Sequence, residues 1–353
     1  MPAKKRSLTL KIMRRNKKRW GIFLLSFVCI VGIATIFFVA CDSSENESSQ
    51  DVGVEYPVPE NAEVIVDVAV PFKIPGGDEV LTTENDDLII SIGISARVFY
   101  LPKDIKHYKE YYKLLSADKN KPNILKFTIG DNNYEGASPI IKVEVPTEEE
   151  YLKAKERLND LIPIDESQEI TEAKTRATSL ASTIPSISAM NTAFNYIKNL
   201  GCPLSGTCIP FRYAADGCYA RAHYMRKILA DNYGYDCSKI FSFGSPLAAT
   251  SLATGCCAEW SYHVAVLVSV DNGTTCLDRV FDPSLFNQPV TITEWVNKQK
   301  GCVSSTGSVS YTVKASNYYS YGGGTYYYDN SYTNTYSTLS TYSGCSGCGY
   351  PCY

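Results

Sequence analysis

The chain has 353 residues, 44% hydrophobic and 20% charged, which allows two domains with cores of their own and excludes wholesale disorder. Its formal net charge of −3 hides three unlike stretches: residues 1–40 hold nine Lys/Arg and no acid, residues 41–176 hold 15 against 28, and residues 177–353 hold 10 against 9. No basic cluster survives beyond the leader, so no nucleic-acid partner is expected.

The leader reads as an export signal. "KKRSLTLKIMRRNKKR" is a positive n-region, and the following "WGIFLLSFVCIVGIATIFFVA" is an apolar run of 21 residues, long enough to span a bilayer. "FVAC" at Phe38–Cys41 is similar to a bacterial lipobox, with Phe38 where Leu is usual. Two readings follow: residues 1–41 are a lipoprotein-type signal with Cys41 lipidated, or an uncleaved signal-anchor with Cys41 a bystander. Either attaches the chain to a membrane and places the rest outside the cytoplasm, where disulfides persist.

"DSSENESSQ" opens a polar tether running to about residue 60. "AEVIVDVAVPF", "DLIISIGISARVFYL", "NILKFTIG" and "PIIKVEVP" alternate as strands do. "KDIKHYKEYYKLLSA" carries Ile105, Tyr108, Tyr112 and Leu115 on a helical stripe, with His107 at the surface. "TEEEYLKAKERLNDLI" is a helix with acids in its first turn, where the helix dipole favours them. Together they make residues 42–176 an acidic tether and a small α+β domain. "PIDESQEITEAKTRATSLAS" is a linker, and the basic residues near its end suggest a processing site near Arg176. Residues 177–353 form a cysteine-rich domain, whose Tyr-, Gly- and Ser-rich tail reads as a looped segment stapled by cysteines.

Eleven of the 13 cysteines lie from Cys202 onward, and five disulfides among them leave one thiol free. Cys218 is the candidate. "CYARAHYMRKILADN" has an apolar face of Ala220, Ala222, Met225, Ile228 and Leu229, and "ADG" before it supplies a loop. Cys218 therefore starts a helix, where free N–H groups and the dipole favour a thiolate and can hold an oxyanion. His223 is not its base: five residues turn a helix by about 500°, leaving the two side chains roughly 140° apart. It belongs to the helix surface or to packing. Zinc is not favoured, because the Cys218–His223 spacing is not a usual ligand spacing and histidines are few. "CSGC" at Cys345–Cys348 reads as disulfide cysteines.

His263, in "EWSYHVAVLVSV", lies on a strand buried on both faces. It is either a core histidine satisfied by backbone or the base for Cys218. "LDRVFDPSLF" follows, with Asp278 and Asp282 on one strand face; Asp282, at the strand end ahead of Pro283, is better placed to orient His263. Glu259, Trp260 and Tyr262 flank the histidine and either line a substrate cleft or are ordinary core and rim. Helix Cys, strand His and strand Asp in that order match papain-like and transglutaminase-core sites, whose chemistry is acyl transfer.

The stretches "LASTIPSISAMNTAFNYIKN", "IPFRYAADGCYARAHYMRKIL", "GYDC", "GCCAEWSYHVAVLVS" and "FDPSLF" closely resemble the bacterial protein-glutaminases, over most of residues 180–290. The resemblance implies an α+β fold: a transglutaminase-core, papain-like catalytic domain, its helix-borne Cys packed on an antiparallel sheet, preceded by a small α+β prodomain. It implies a triad of Cys218, His263 and Asp282 that converts protein-bound glutamine to glutamate and ammonia, with no cofactor and no metal. It further implies a proenzyme whose prodomain, here the acidic residues 42–176, blocks the cleft until an activating protease removes it. Expected partners are therefore glutamine-bearing proteins, the chain's own prodomain, that protease, and a membrane reached through the leader. The location is the cell envelope, with the catalytic domain released on processing. Three alternatives share these residues: a transglutaminase, a cysteine protease, and a non-enzymatic surface-binding lipoprotein.

Overall fold

The computed structural model describes residues 53–348, apart from 78, 84, 117–122, 132–136, 165–181, 204–205 and 303–307. The leader with Cys41, and the linker with Arg176, lie outside the described residues.

The N-terminal half is a closed five-stranded barrel of β1 (Glu63–Pro71), β2 (Leu88–Ile92), β3 (Val98–Leu101), β4 (Ile124–Ile129) and β5 (Ala137–Glu144), in the order β1-β2-β3-β5-β4. Closure depends on β1, which pairs with β4 along its first six residues and with β2 along its last three. Ile90, Phe99, Phe127 and Ile140 fill the interior. Helix α1 (Tyr108–Leu115) covers the barrel with Tyr108, Tyr111, Leu114 and Leu115. Tyr112, expected on that stripe, is instead 45% exposed and stacks on Tyr108; the apolar face turns through Tyr111 because i+3 and i+4 positions share a helix side. The acids opening α2 (Glu148–Asn159) form a capping box, in which the Thr147 hydroxyl accepts from the Glu150 N–H and Glu150 reaches back to the Thr147 N–H. Strand β6 (Ile162–Pro163) then crosses to the other half.

That half contains α3 (Ile187–Asn199) and α4 (Cys218–Tyr233), followed by β7 (Ser238–Thr250), β8 (Cys257–Asp271), β9 (Cys276–Phe281), α5 (Ile292–Lys298) and β10 (Ser310–Ala315). The strands make one antiparallel sheet, ordered β10-β7-β8-β9, and α4 packs on β8. The tail departs from the looped segment expected: β11 (Tyr318–Gly322) and β12 (Thr325–Tyr328) form a hairpin, and α6 (Thr333–Tyr342) follows. The hairpin forms because Gly323 and Gly324, with φ of 62° and 84°, supply the two positive-φ positions of a tight turn. Alternation among tyrosines conceals this pattern, since tyrosine suits both faces of a strand.

Both halves contribute to one continuous core, in which Phe72, Ile89, Leu161 and Ile164 meet Phe243, Tyr262, Tyr321 and Tyr326. The antiparallel pairing of β6 with β12 adds a strand of the first half to a sheet of the second. At Gly322 the hairpin comes so close that an added Cβ would lie 2.1 Å from the Gly93 carbonyl oxygen. Gly322→Ala is therefore expected to destabilise the full chain by about 1–3 kcal/mol through overpacking, read as a lower midpoint of thermal unfolding. An unchanged midpoint would contradict this contact.

Candidate active site

The loop ahead of α4 is held from several sides. Gly217, with φ 78°, is the N-cap and has no side chain to satisfy the first N–H groups of the helix, so those donors remain free for a ligand. A Cβ on Gly217 would meet the Tyr342 ring at 2.8 Å, which adds steric need for glycine to the conformational one. Arg221, one helical turn on, donates from Nη1 to the carbonyl oxygens of Tyr213 and Asp216, at 3.0 and 2.7 Å. Tail residue Gly347 accepts from the Ala214 N–H and donates to the Arg212 carbonyl, both at 2.9 Å. Cys218 follows as the first residue of α4, and its thiol is unpaired and buried.

Strands β8 and β9 bring the other two groups. Their register sets Val266 opposite Phe281, so Asp282, the next residue, falls diagonal to His263 on the same face. The His263 Nε2 lies 2.7 Å from Asp282 Oδ2, while Asp278 is solvent-exposed. Trp295 on α5 donates its indole N–H to the same Asp282 oxygen at 3.0 Å. The rings of Trp260 and Trp295 stack on the imidazole, with centroids 4.8 and 5.7 Å away. Trp260 is fixed in turn by donating to the Ala214 carbonyl at 2.7 Å. His263 Nδ1 has no hydrogen-bond partner of standard geometry, and the Cys218 sulfur is the neighbour that acts on that ring.

Burial alone would lower the pKa of His263, but the Asp282 carboxylate outweighs it. With Cys218 adding to that effect, the imidazole is raised to about 9. Burial pushes the Asp282 carboxyl up, and the imidazolium, the hydrogen bonds from His263 and Trp295, and the Arg221 charge bring it below its ordinary value. At neutral pH the pair is charged.

The turn between β2 and β3 is bonded to residues next to Cys218 and His263. Ser95 Oγ and the Ala96 N–H donate to the Asp216 carboxylate at 2.7 and 3.1 Å. The Ala96 carbonyl accepts from the Ser261 N–H at 2.9 Å and from its hydroxyl at 3.2 Å. The Tyr262 hydroxyl donates to the Ile94 carbonyl at 2.6 Å. With this segment in place, Cys218 and His263 are each only 1% exposed.

The remaining sequence candidates sort as follows. Trp260 is wall to the imidazole and Tyr262 touches the covering segment. Glu259 is buried on β8 opposite Ala248. His223 is not at the helix surface. It is buried, with Nδ1 accepting from Lys239 Nζ at 3.0 Å and Nε2 donating to the Asp329 carbonyl at 3.2 Å. Burial holds His223 neutral and lowers Lys239 to about 7. His107 lies at the surface, paired with Glu110.

The expectation of five disulfides and one thiol needs correction. Bonds join Cys202–Cys208, Cys256–Cys348 and Cys257–Cys302, and Cys345 is also disulfide-bonded, but Cys218, Cys237 and Cys276 are all free. Parity therefore does not single out Cys218; its place at a helix start does. The cysteines of "CSGC" are oxidised but not to each other. Such bonds mark a chain that folds outside the reducing cytoplasm. Among the described residues no helix is long and apolar enough to cross a membrane. Sequence reasoning missed Trp295, Asp216 and Arg221. A tryptophan in a seven-residue helix reads as core, and the partners of Asp216 lie about 120 residues away.

A helix-borne thiol packed against an antiparallel sheet that carries histidine and aspartate defines an α+β protein of the transglutaminase-like class. A family model described as "Glutaminase" matches residues 190–299. The crystal structure of pro-protein-glutaminase is 35% identical over 82% of this chain and 96% of its own, with a TM-score of 0.61. That of the A47Q2 mutant of pro-protein-glutaminase is 33% identical over the same shares, with a TM-score of 0.62. The NMR structure of protein-glutaminase from Chryseobacterium proteolyticum is 46% identical over 49% of this chain and 96% of its own, with a TM-score of 0.45. No curated protein sequence matches. The chain belongs to the protein-glutaminase family.

The three thiols differ in reactivity. Cys276 is exposed, Cys218 is covered, and burial pushes the Cys237 thiol up to about 12. Iodoacetamide applied to the native full chain is expected to modify Cys276 and to spare Cys218 and Cys237, as read by peptide mass mapping. Rapid labelling of Cys218 in the uncut chain would show that its cover is absent.

Proposed function

We propose that this protein hydrolyses the side-chain amide of protein-bound glutamine to glutamate and ammonia, with Cys218 as nucleophile, His263 as general acid and base, and Asp282 orienting His263. Residues 42–176 keep it latent as a prodomain, and cleavage near Arg176 begins activation. The observation that carries the reading is the His263–Asp282 pair, 2.7 Å apart, beside an unpaired thiol at an uncapped helix start, in a chain related to proenzymes over both halves. Attachment to the envelope through residues 1–41, with Cys41 bearing lipid, belongs to the same proposal and is supported by the leader and polar tether.

The Cys218 thiolate attacks the side-chain amide carbon, and the electron pair moves onto the amide oxygen, which the first N–H groups of α4 receive. Collapse breaks the C–N bond as His263 Nδ1–H protonates the departing nitrogen, releasing ammonia and leaving a thioester. Water then adds to the thioester carbon while His263 Nδ1 takes its proton. Loss of the thiolate releases glutamate. Asp282 holds Nε2–H throughout, so Nδ1 always faces the sulfur, and the two indoles keep the ring in that plane. These steps use only groups of the chain itself.

Assay of the processed protein on casein tests the reaction. Ammonia without crosslinks or fragments is expected; crosslinked ladders would identify a transglutaminase instead, and peptide fragments a protease. Cys218→Ala is expected to abolish ammonia release while the circular dichroism spectrum is retained. Because proton delivery needs the imidazolium, activity of the processed enzyme should fall as pH rises through about 9. Asp282→Asn removes the main group that raises this pKa, so the fall should move to lower pH and the rate should drop by about 10²–10⁴-fold. An alkaline limb unmoved by that substitution would refute the role given to Asp282.

A further inference from the structure

The end of the N-terminal half extends a sheet of the other half. β6 runs antiparallel to β12, with Pro163 opposite Tyr327 and Ile162 opposite Tyr328. The Ile164 N–H donates to the Tyr326 carbonyl at 2.8 Å. Leu161 and Ile164 are buried in the shared core, while Ile162 between them is 49% exposed. Four residues thus supply main-chain pairing and two aliphatic anchors, and nothing in the pairing requires this particular sequence.

Removal of residues 42–176 takes that strand away. β12 then becomes the edge of its sheet, with unpaired main-chain groups that invite another strand. Its tyrosines lose their cover as well, which leaves an apolar patch of the kind that marks a protein-binding surface. The patch leads toward the thiol. The Tyr326 and Tyr321 rings lie 4.9 Å apart, Tyr321 and Tyr262 lie 6.1 Å apart, and the Tyr262 hydroxyl in turn feels the Cys218 sulfur. The hydroxyls of Tyr321 and Tyr262 both donate to carbonyls of the N-terminal half, Lys73 at 3.1 Å and Ile94 at 2.6 Å, so removal frees polar groups along the same path. Roughly five residues of extended chain, at ~3.3 Å each, cover it.

We propose that the edge of β12 is a docking site for protein substrates, which add an extended segment bearing two aliphatic residues as a strand, about five residues from the glutamine to be deamidated. This rests on the deamidase reading above. Continuity with the thiol site favours substrate over a second copy of the chain, and the segment now seated there shows the chemistry that fits: aliphatic, uncharged where it is buried, and extended.

The full chain, processed by limited proteolysis and freed of its N-terminal half, is assayed on casein and on a blocked glutaminyl-glycine dipeptide too short to span both sites. The competitor is a peptide of residues 158–166, "LNDLIPIDE". At millimolar peptide the apparent KM for casein is expected to rise about tenfold, with kcat and dipeptide hydrolysis unchanged. The same peptide carrying Leu161→Asp and Ile164→Asp has no effect. Equal inhibition of both substrates, or none of casein, overturns the docking site. Fluorescence anisotropy of the labelled peptide reads binding without reference to activity. Failure to bind overturns the docking site by itself, whereas loss of dipeptide hydrolysis in the absence of peptide overturns the deamidase reading instead. Release of a dimer by the peptide, seen on size exclusion, would assign the edge to a second copy and overturn the substrate assignment.

Discussion

The structure around the thiol depends on one buried ion pair, His263 with Asp282. Two charges taken out of water are costly unless geometry and further hydrogen bonds compensate. Here the pair is 2.7 Å apart, and the Trp295 indole supplies a further donor to the carboxylate. The Arg221 charge also favours the carboxylate. Much of the neighbouring architecture follows from this demand. The two indoles stacked on the imidazole exclude water without offering competing acceptors, and helix α5, only seven residues long, carries one of them. The β8–β9 register places the carboxylate diagonal to the ring, so a one-residue slip would send Asp282 to the other face.

The covering turn uses the same economy. Its hydrogen bonds go to Asp216, two residues before the thiol, and to Ser261 and Tyr262, the two residues before the imidazole. Nothing has to be distorted to keep the site shut, because the segment satisfies groups that would otherwise be buried and unpaired. Latency on this plan is a matter of occupation, and the site beneath is already assembled.

Much of this was legible in the sequence, for physical reasons. The barrel strands alternate, the acids of α2 sit where the dipole favours them, and "DGC" ahead of a strong helix pattern marks where α4 begins. Carbonyl and carboxylate partners from distant strands left no such local signal. Asp216 finds Ser95 and Ala96 only through the packing of two halves, and Arg221 answers to carbonyls that no side-chain pattern reveals. Counting cysteines misled, since an odd total fixes only that the number of free thiols is odd; Cys237 and Cys276 supply two more. In the tail, tyrosine at nearly every position erased the period that distinguishes strand from loop, and only the paired glycines betrayed the hairpin.

The bonds of Gly347 to Arg212 and Ala214, and the Tyr342 ring over Gly217, have a consequence for the order of assembly. The loop that presents Cys218 is completed by residues synthesised well after it, and the Cys256–Cys348 bond fastens them only where thiols can oxidise. A nascent chain therefore lacks the clamp on its own reactive loop, and a still-reduced one lacks the bond that fastens it.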